Sequence, residues 1–341
     1  MKHPDVSFVV PILNEERYLD ATLRSLAAQE LGEFSAEVLV LDGGSSDGSA
    51  AIVERFASQP YGNIRFCLVA NPRKRTPAAF NIGISESTAD IVGLGGAHTI
   101  YPPAYFRTAI ELIRSGTADV VGGGHDAHVP SVDSRVGQAM ACLYLSPLGS
   151  GVAAYHRRKT AGYVDTVYGG FYQRGVFDRI GKFDETLTRN QDNELNARVL
   201  RAGMRIYFDP RLSTQYVLKA DLKTFLKRGY LFGRYHAETW RRTPDAFRLR
   251  HAIPGLFALY VLVGVIASLL LQTWLPLLPL GVYAGLLVAA ALRLASARSL
   301  SVSLLTVPLF AAYHLSYGTG TLVGLVREAF RRHSGIAAVK A

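Results

Sequence analysis

The chain has 341 residues and carries 37 Lys and Arg against 27 Asp and Glu, a formal net charge of +10. Apolar residues make up 49% of it, which excludes wholesale disorder, and the length leaves room for two domains. The two cysteines, Cys67 and Cys142, are too few for a disulfide framework or a cysteine-built zinc site, and they fit a reducing compartment.

The opening apolar run, ending at Ile12, is too short for a secretory signal and passes straight into a strand, so this part of the chain is expected to stay cytosolic. Residues 6–12 are rich in β-branched side chains and predict a buried strand. Residues 16–29 place Leu19, Leu23 and Leu26 at helical spacing. Further strands are predicted at 37–41, 64–70 and 90–94, with helices near 49–57, 77–85 and 103–115 and a fifth strand starting at Val120. Repeated βα units predict a parallel, doubly wound sheet.

Ligands of such sheets bind beyond the carboxyl ends of the strands. A polar cluster follows each of the first four: Asn14, Glu15 and Glu16; residues 42–48, from Asp42 through Gly44 and Ser46; Arg73, Lys74 and Arg75; and residues 95–98, ending at His98. Asp42 and Glu15 can accept hydrogen bonds from a base or ribose, and the basic triplet can neutralise phosphates. Asp42 could equally cap a turn, and the triplet could be a solvated loop. A dinucleotide-binding dehydrogenase needs a glycine-rich turn after the first strand; here that position reads Pro11, Ile12, Leu13, Asn14.

The charge is unevenly placed. Residues 1–218 are net −1, 219–250 net +6 and 251–341 net +5. The neutral first part argues against a nucleic-acid partner. Between His251 and Val326 only Arg293 and Arg298 carry a full charge, leaving uncharged runs at 253–275, 276–292 and 302–326, of a length that suits membrane helices. The basic 219–250 stretch belongs on the cytoplasmic side. Arg293 and Arg298 agree if the first two runs form a hairpin. A third full span would put Arg327, Arg331 and Arg332 outside. The third run is therefore either re-entrant or interfacial, or it spans against its charges. Its Gly318, Gly320 and Gly324 suit close helix packing or a break, and His314 within it is expected to bond a neighbouring helix.

Residues 10–16 and 42–48 resemble the opening of family 2 glycosyltransferases. Residues 71–73, 79–83, 97–102, 164–171, 189–195 and 248–251 extend the resemblance to the membrane-bound branch of that family. It implies an α/β GT-A (Rossmann-like) fold, a doubly wound and mostly parallel sheet over 1–218, followed by C-terminal membrane helices. A basic juxtamembrane segment would span 219–252, the hydrophobic region 253–326 and a basic tail 327–341. The implied reaction is inverting transfer of a sugar from a nucleotide-diphosphate sugar, a UDP-sugar, to a lipid-linked saccharide at a plasma membrane, in exopolysaccharide or envelope glycan synthesis.

By the resemblance, Pro11, Asn14, Glu15, Asp42, Gly44 and Ser46 would hold the nucleoside end of the donor, with Arg75 and Asn81 near its ribose and phosphates. Asp192 falls where the family keeps its catalytic base. Gly170, Phe171 and Glu194 would line the acceptor side, and Arg234 with Tyr235 would meet the leaving diphosphate. The family's Asp-x-Asp, which binds a divalent cation (Mn²⁺ or Mg²⁺), is replaced by Gly96, Ala97 and His98. Three arrangements follow: a cation held by His98, the diphosphate and water; lysine and arginine in place of the cation; or a degenerate, non-catalytic homologue serving as a membrane assembly subunit.

Overall fold

The computed structural model describes residues 3–128, 134–146, 158–187, 191–217, 221–242, 252–295 and 299–339. The chain forms two units: Met1–His128 with Ala153–Val217, and Val129–Val152 with Leu218–Ala341.

The first unit opens with β1 (Val6–Ile12), α1 (Glu16–Ala27), β2 (Ala36–Asp42), α2 (Ser49–Ala57), β3 (Ile64–Ala70), α3 (Thr76–Glu86) and β4 (Ile91–Leu94). Then come β5 (Thr99–Ile100), α4 (Tyr105–Arg114), β6 (Val120–Gly123) and β7 (His125–His128). The helix α5 (Arg135–Leu145) belongs to the second unit, a placement with no signal in the local sequence. The first unit resumes with β8 (Gly162–Tyr163), β9 (Tyr168–Gln173), α6 (Arg174–Ile180), α7 (Gln191–Arg201), β10 (Ile206–Phe208) and β11 (Thr214–Val217).

Eight strands form one sheet in the order β3-β2-β1-β4-β9-β6-β10-β8. The run β3-β2-β1-β4 is parallel, as expected from the βα pattern. β9 enters antiparallel between β4 and β6, and β8 is antiparallel to β10, so the sheet is mixed. A second sheet pairs β11 with β5 and β7.

β1 lies inside the sheet with both faces covered. Phe8 and Val10 pack with Leu19, Leu23 and Phe106 of α1 and α4, while Val9 packs on the other face with Phe80 of α3 and Val199 of α7. Burial on both sides explains why its sequence is apolar apart from Ser7 rather than alternating. Each such large side chain contributes about 1.5–3 kcal/mol on leaving water. Gly83 permits the closeness of α3 to the sheet, since a Cβ there would come within 2.4 Å of Val9.

The second unit contains α5, α8 (Leu222–Arg242), α9 (Ile253–Leu271), α10 (Leu278–Ala295) and α11 (Leu300–Val339). Among the described residues three helical stretches are long and apolar enough to cross a membrane: Ile253–Leu271, Leu275–Arg293 and Leu300–Phe330. α11 continues unbroken through Gly318, Gly320 and Gly324, which serve close packing: a Cβ at each would lie within 2.6 Å of a carbonyl oxygen on α8 or α9. His314 bonds a neighbouring helix, its Nδ1 lying 2.7 Å from Tyr283 Oη.

Candidate active site

Register brings the ends of three strands level. Asp42 at the end of β2 stands between Ile12 of β1 and Ala70 of β3. The loops leaving these strands therefore share one edge. They are also sewn together. Asn14 donates its backbone N–H to Ser45 Oγ at 3.0 Å and accepts from Ser46 N at 2.8 Å through Oδ1. Glu15 N–H donates to Ser49 Oγ at 2.8 Å. Glu16 accepts from Gly48 N at 3.0 Å, and Asp47 accepts from Glu16 N at 3.1 Å.

Asp42 spends Oδ1 on Ser45 N (2.9 Å) and Ser45 Oγ (2.7 Å). Its Oδ2 has no bond to a described residue, which leaves an acceptor on the rim. Gly44 has φ +79, a left-handed conformation that suits glycine. The Lys74 side chain lies over it, with Nζ 3.7 Å from where a Gly44 Cβ would stand. Lys74 itself has φ 56, and so does Asn14 at 55. For a lysine this backbone is uncommon, and such strain gathers at functional sites. Pro11 lies one residue inside the end of β1, in register with Leu41.

The other basic residues of the triplet turn elsewhere. Arg73 pairs with Glu185, and an Arg75 Nη1–H reaches the Glu185 carbonyl at 3.5 Å. Asn81 also commits to this loop: its amide donates to Phe183 O (3.0 Å) and Glu185 Oε1 (2.9 Å) and accepts from Phe183 N (2.9 Å). Asn81 thus braces the 183–185 loop, a task different from the phosphate contact expected of it. Bonds from Asn81 and Arg73 hold the Glu185 carboxyl below its ordinary range.

Asp192 lies in the first turn of α7. It has no hydrogen bond or ion pair to a described residue, and the residue is exposed to solvent. Protein mass around the carboxyl nevertheless desolvates its charged form and pushes it up to about 6. The neighbouring Tyr172 of β9 is raised too, by burial and then by the Asp192 charge. A reachable, unpaired carboxyl titrating near neutrality is suited to taking a proton.

Two residues expected on the acceptor side are corrected. Glu194, one face away on the same turn, is buried, and both its oxygens are taken at 2.7 Å by Arg198, whose other N–H groups hold Ile180 O and Lys182 O. It is neither solvated nor available to an acceptor; it ties α7 to the end of α6. Phe171 is fully buried against Phe8 and Tyr105, because successive residues of β9 face opposite sides of the sheet. Gly170 faces the Tyr172 side, where a Cβ would meet that ring at 2.9 Å. Arg234 and Tyr235 belong to α8 of the second unit, where the Arg234 guanidinium sits 5.3 Å over the Tyr235 ring. Residues 189–190 and 248–251, and Arg298, lie outside the described residues.

His98 was the expected metal ligand. Its Nδ1 is 3.6 Å from Glu15 Oε2, and its Nε2 is 2.8 Å from Tyr216 Oη. Burial by itself would lower the imidazole pKa; the Glu15 and Tyr216 contacts outweigh that and raise it. A Cβ on Gly96 would come within 3.2 Å of Tyr168 Oη and 3.3 Å of Thr99 Oγ1. Among the described residues no three His, Cys, Asp or Glu side chains gather to hold a metal ion. One imidazole and one carboxylate turned toward each other do not make a cage for a hard cation. Tyr216 and Tyr168 were missed in the sequence because Tyr216 lies 118 residues from His98, with no local pattern to join them.

The mixed sheet, with its polar rim at the carboxyl ends of β1 to β4, is of the GT-A type found in nucleotide-sugar transferases. Residues 7–181, just over half of the chain, match the model of Glycosyl transferase family 2, and the chain belongs to that family. It is similar to the succinoglycan biosynthesis protein ExoA of Rhizobium meliloti (strain 1021), with 27% identity covering 81% of this chain and 82% of that protein. It is also similar to a dolichyl N-acetyl-alpha-D-glucosaminyl phosphate glucuronosyltransferase of Methanococcus voltae, at 23% identity over 67% of this chain and 71% of the other. Among solved structures it resembles the mannosyltransferase PcManGT of Pyrobaculum calidifontis, in complex with GDP-Man and Mn²⁺. The TM-score is 0.57 and the identity 18%, covering 94% of this chain and 88% of that one.

Proposed function

We propose that this family 2 glycosyltransferase is an inverting enzyme. It moves a sugar from a nucleotide-diphosphate sugar, a UDP-sugar, to a hydroxyl of a lipid-linked saccharide at the cytoplasmic face of the plasma membrane. The relatives named for succinoglycan biosynthesis and for a dolichyl-phosphate-linked sugar support a lipid-linked acceptor in exopolysaccharide or envelope glycan synthesis.

The observation that carries the reading is Asp192, an exposed carboxyl without a partner among the described residues and pushed up to about 6. Asp192 takes the proton of the acceptor hydroxyl as that oxygen bonds to the anomeric carbon and the nucleoside diphosphate leaves from the opposite face. Asp42 Oδ2, with Pro11, Asn14, Glu15, Gly44 and Ser46, forms the nucleoside side. Lys74 supplies positive charge for the diphosphate from its position over Gly44. The test is sugar transfer from UDP-sugars to a panel of lipid-linked glycans in membranes, read by mass spectrometry, for wild type and Asp192→Asn. Equal transfer by the two proteins sinks the assignment of the base.

One observation favours a second reading. Gly96 and the mutual pairing of His98 and Glu15 leave the usual cation position without its carboxylates. A non-catalytic membrane assembly subunit would then show no UDP-sugar binding by calorimetry and no transfer to any acceptor. Adding Mn²⁺ or Mg²⁺ to the transfer assay decides whether a divalent cation takes part.

A further inference from the structure

Within the second unit α8 and the later half of α11 run side by side in the same direction. A Cβ on Gly229 would meet the Tyr313 ring at 2.9 Å, and one on Gly233 would meet Tyr317 O at 2.0 Å. In return, a Cβ on Gly320 would meet Tyr230 O at 2.0 Å, and one on Gly324 would meet Arg234 O at 2.6 Å. Ser316 Oγ donates to Leu226 O at 2.8 Å, and Tyr317 Oη lies 3.0 Å from His236 Nδ1. The backbones touch through their glycines, so Tyr313 to Gly324 must lie at the same depth as α8.

α8 carries Lys223, Lys227, Arg228 and Arg234. Each such charge costs about 2.5–3.5 kcal/mol at the centre of a bilayer, and α8 also ends on Arg241 and Arg242, so the helix stays at the interface. It keeps its partner stretch of α11 there. What remains of α11 before Tyr313 is 300–312, which at about 1.5 Å per residue reaches roughly 20 Å, short of the roughly 30 Å hydrocarbon core. α11 is long and apolar enough to span, yet its packing denies it the span.

α9 and α10 are built differently. Tyr260 Oη donates to Pro276 O at 2.7 Å and the Phe257 and Tyr283 rings lie 4.6 Å apart, so the two helices form an antiparallel hairpin. Their apolar stretches are only 17% and 11% buried inside the protein. The face of α11 turned from its partners is apolar as well: Leu300, Leu304, Leu315, Val323, Val326 and Phe330 are exposed. At 100° per residue they fall on one side of the helix.

We propose that α11 lies along the membrane surface, with this stripe in the acyl boundary of the bilayer. Among the described helices only α9 and α10 cross. The basic α8, Arg293 and Arg327 then share one side, with Arg331 and Arg332 following them, and the positive-inside rule holds without exception. The partner of the exposed stripe is lipid, matched by the basic residues beside it.

The inference rests on the membrane reading of the apolar helices and not on the transfer chemistry. The test uses the full chain in a bacterial inner membrane, probed from outside in spheroplasts. A C-terminal epitope tag on the otherwise wild-type chain is expected to resist added protease until the membrane is opened. In single substitutions, Thr273→Cys at the hairpin tip is expected to react with a membrane-impermeant maleimide from outside, while Lys223→Cys and Phe330→Cys lose that labelling. A tag digested from outside, or Phe330→Cys labelled as strongly as Thr273→Cys, overturns the proposal. So does an unlabelled Thr273→Cys, because the hairpin would not cross. A chain that fractionates as soluble overturns the membrane reading together with it, and leaves the transfer assay to be judged alone.

Discussion

Two carboxyl groups of the first unit, each desolvated by the protein around it, are treated in opposite ways. Glu37 of β2 is 2% exposed. Burial alone would raise its pKa, but Ser7 Oγ, Thr88 N and Oγ1, and Arg65 Nη2 all donate to it and hold it below the ordinary range. In the first turn of α7, Asp192 has no donor among the described residues and is pushed up to about 6. Glu194, two residues along the same helix, repeats the Glu37 pattern with Arg198. A carboxyl supplied with donors from every side is part of the fold. One desolvated without donors has been left for something that binds.

The largest effect that would break this comparison is on turnover. Asp192→Asn should lower kcat by about 10²–10⁴-fold, the usual span for a positioned acid or base. Stability should not fall with it. A carboxyl raised from 3.8 to about 6 binds its proton more tightly in the folded chain, so ionisation opposes folding as pH rises through that window. Removing the charge relieves this, and urea unfolding at pH 7 should show a midpoint no lower than wild type. The wild-type rate should climb as pH passes through about 6, and the residual rate of the variant should lack that step.

Glu37→Gln is the converse. It should cost about 2 kcal/mol of stability by leaving charged and hydroxyl donors without their carboxylate, seen as a lower urea midpoint, while turnover per folded molecule stays at the wild-type value. The sign is opposite too. A depressed carboxyl contributes stability above its ordinary pKa of 4.5, and loses it as pH falls through the lower folded value. The wild-type advantage over Glu37→Gln should therefore vanish in acid. A turnover defect in folded Glu37→Gln would mean that the roles of the two carboxyls are not separable.

Asp42→Asn is smaller again. It keeps the shape of the β2 loop and weakens one acceptor on the rim, so donor KM should rise about tenfold with kcat nearly unchanged, about 1.4 kcal/mol of binding. Competition by UDP, measured by calorimetry, should weaken in parallel.

The parts of the chain legible from sequence are those where local pattern and burial agree. Val6–Ile12 and Ile64–Ala70 form the strands expected of their β-branched, mostly apolar runs, and Ser49–Ala57 forms the expected helix, with Val53 and Phe56 turned to the core. The rim was legible for the same reason: its residues sit directly after those strands. What escaped is long-range. β9 enters antiparallel from some 75 residues beyond β4, the Tyr216 contact closes over His98 from the end of the unit, and α5 joins the other unit altogether. Phe171 and Glu194 show a subtler failure. Both lie in stretches that resemble the family's acceptor side, but neighbours in a strand or helix face different ways, and a motif does not say which of its members faces the site.

Lys74 gives the finest test, because at this residue binding and folding pull apart. Its φ of 56 is a conformation that a lysine enters at a cost of roughly 1–2 kcal/mol, and its ammonium lies over Gly44. Lys74→Gly removes the strain but adds glycine's own entropic cost of about 0.5–1 kcal/mol, so stability should stay level or rise by about 0.5 kcal/mol. Lys74→Ala keeps the strain and should leave the urea midpoint near wild type. Both variants lose the same ammonium, so both should raise donor KM by a similar factor, a few-fold for an exposed charge on a phosphate, and the difference from wild type should shrink as salt is added. If Lys74→Gly unfolds more easily while its donor KM is unchanged, the lysine braces the loop, and the carboxyl end of the sheet at that point is built for stability just as the Glu37 end is.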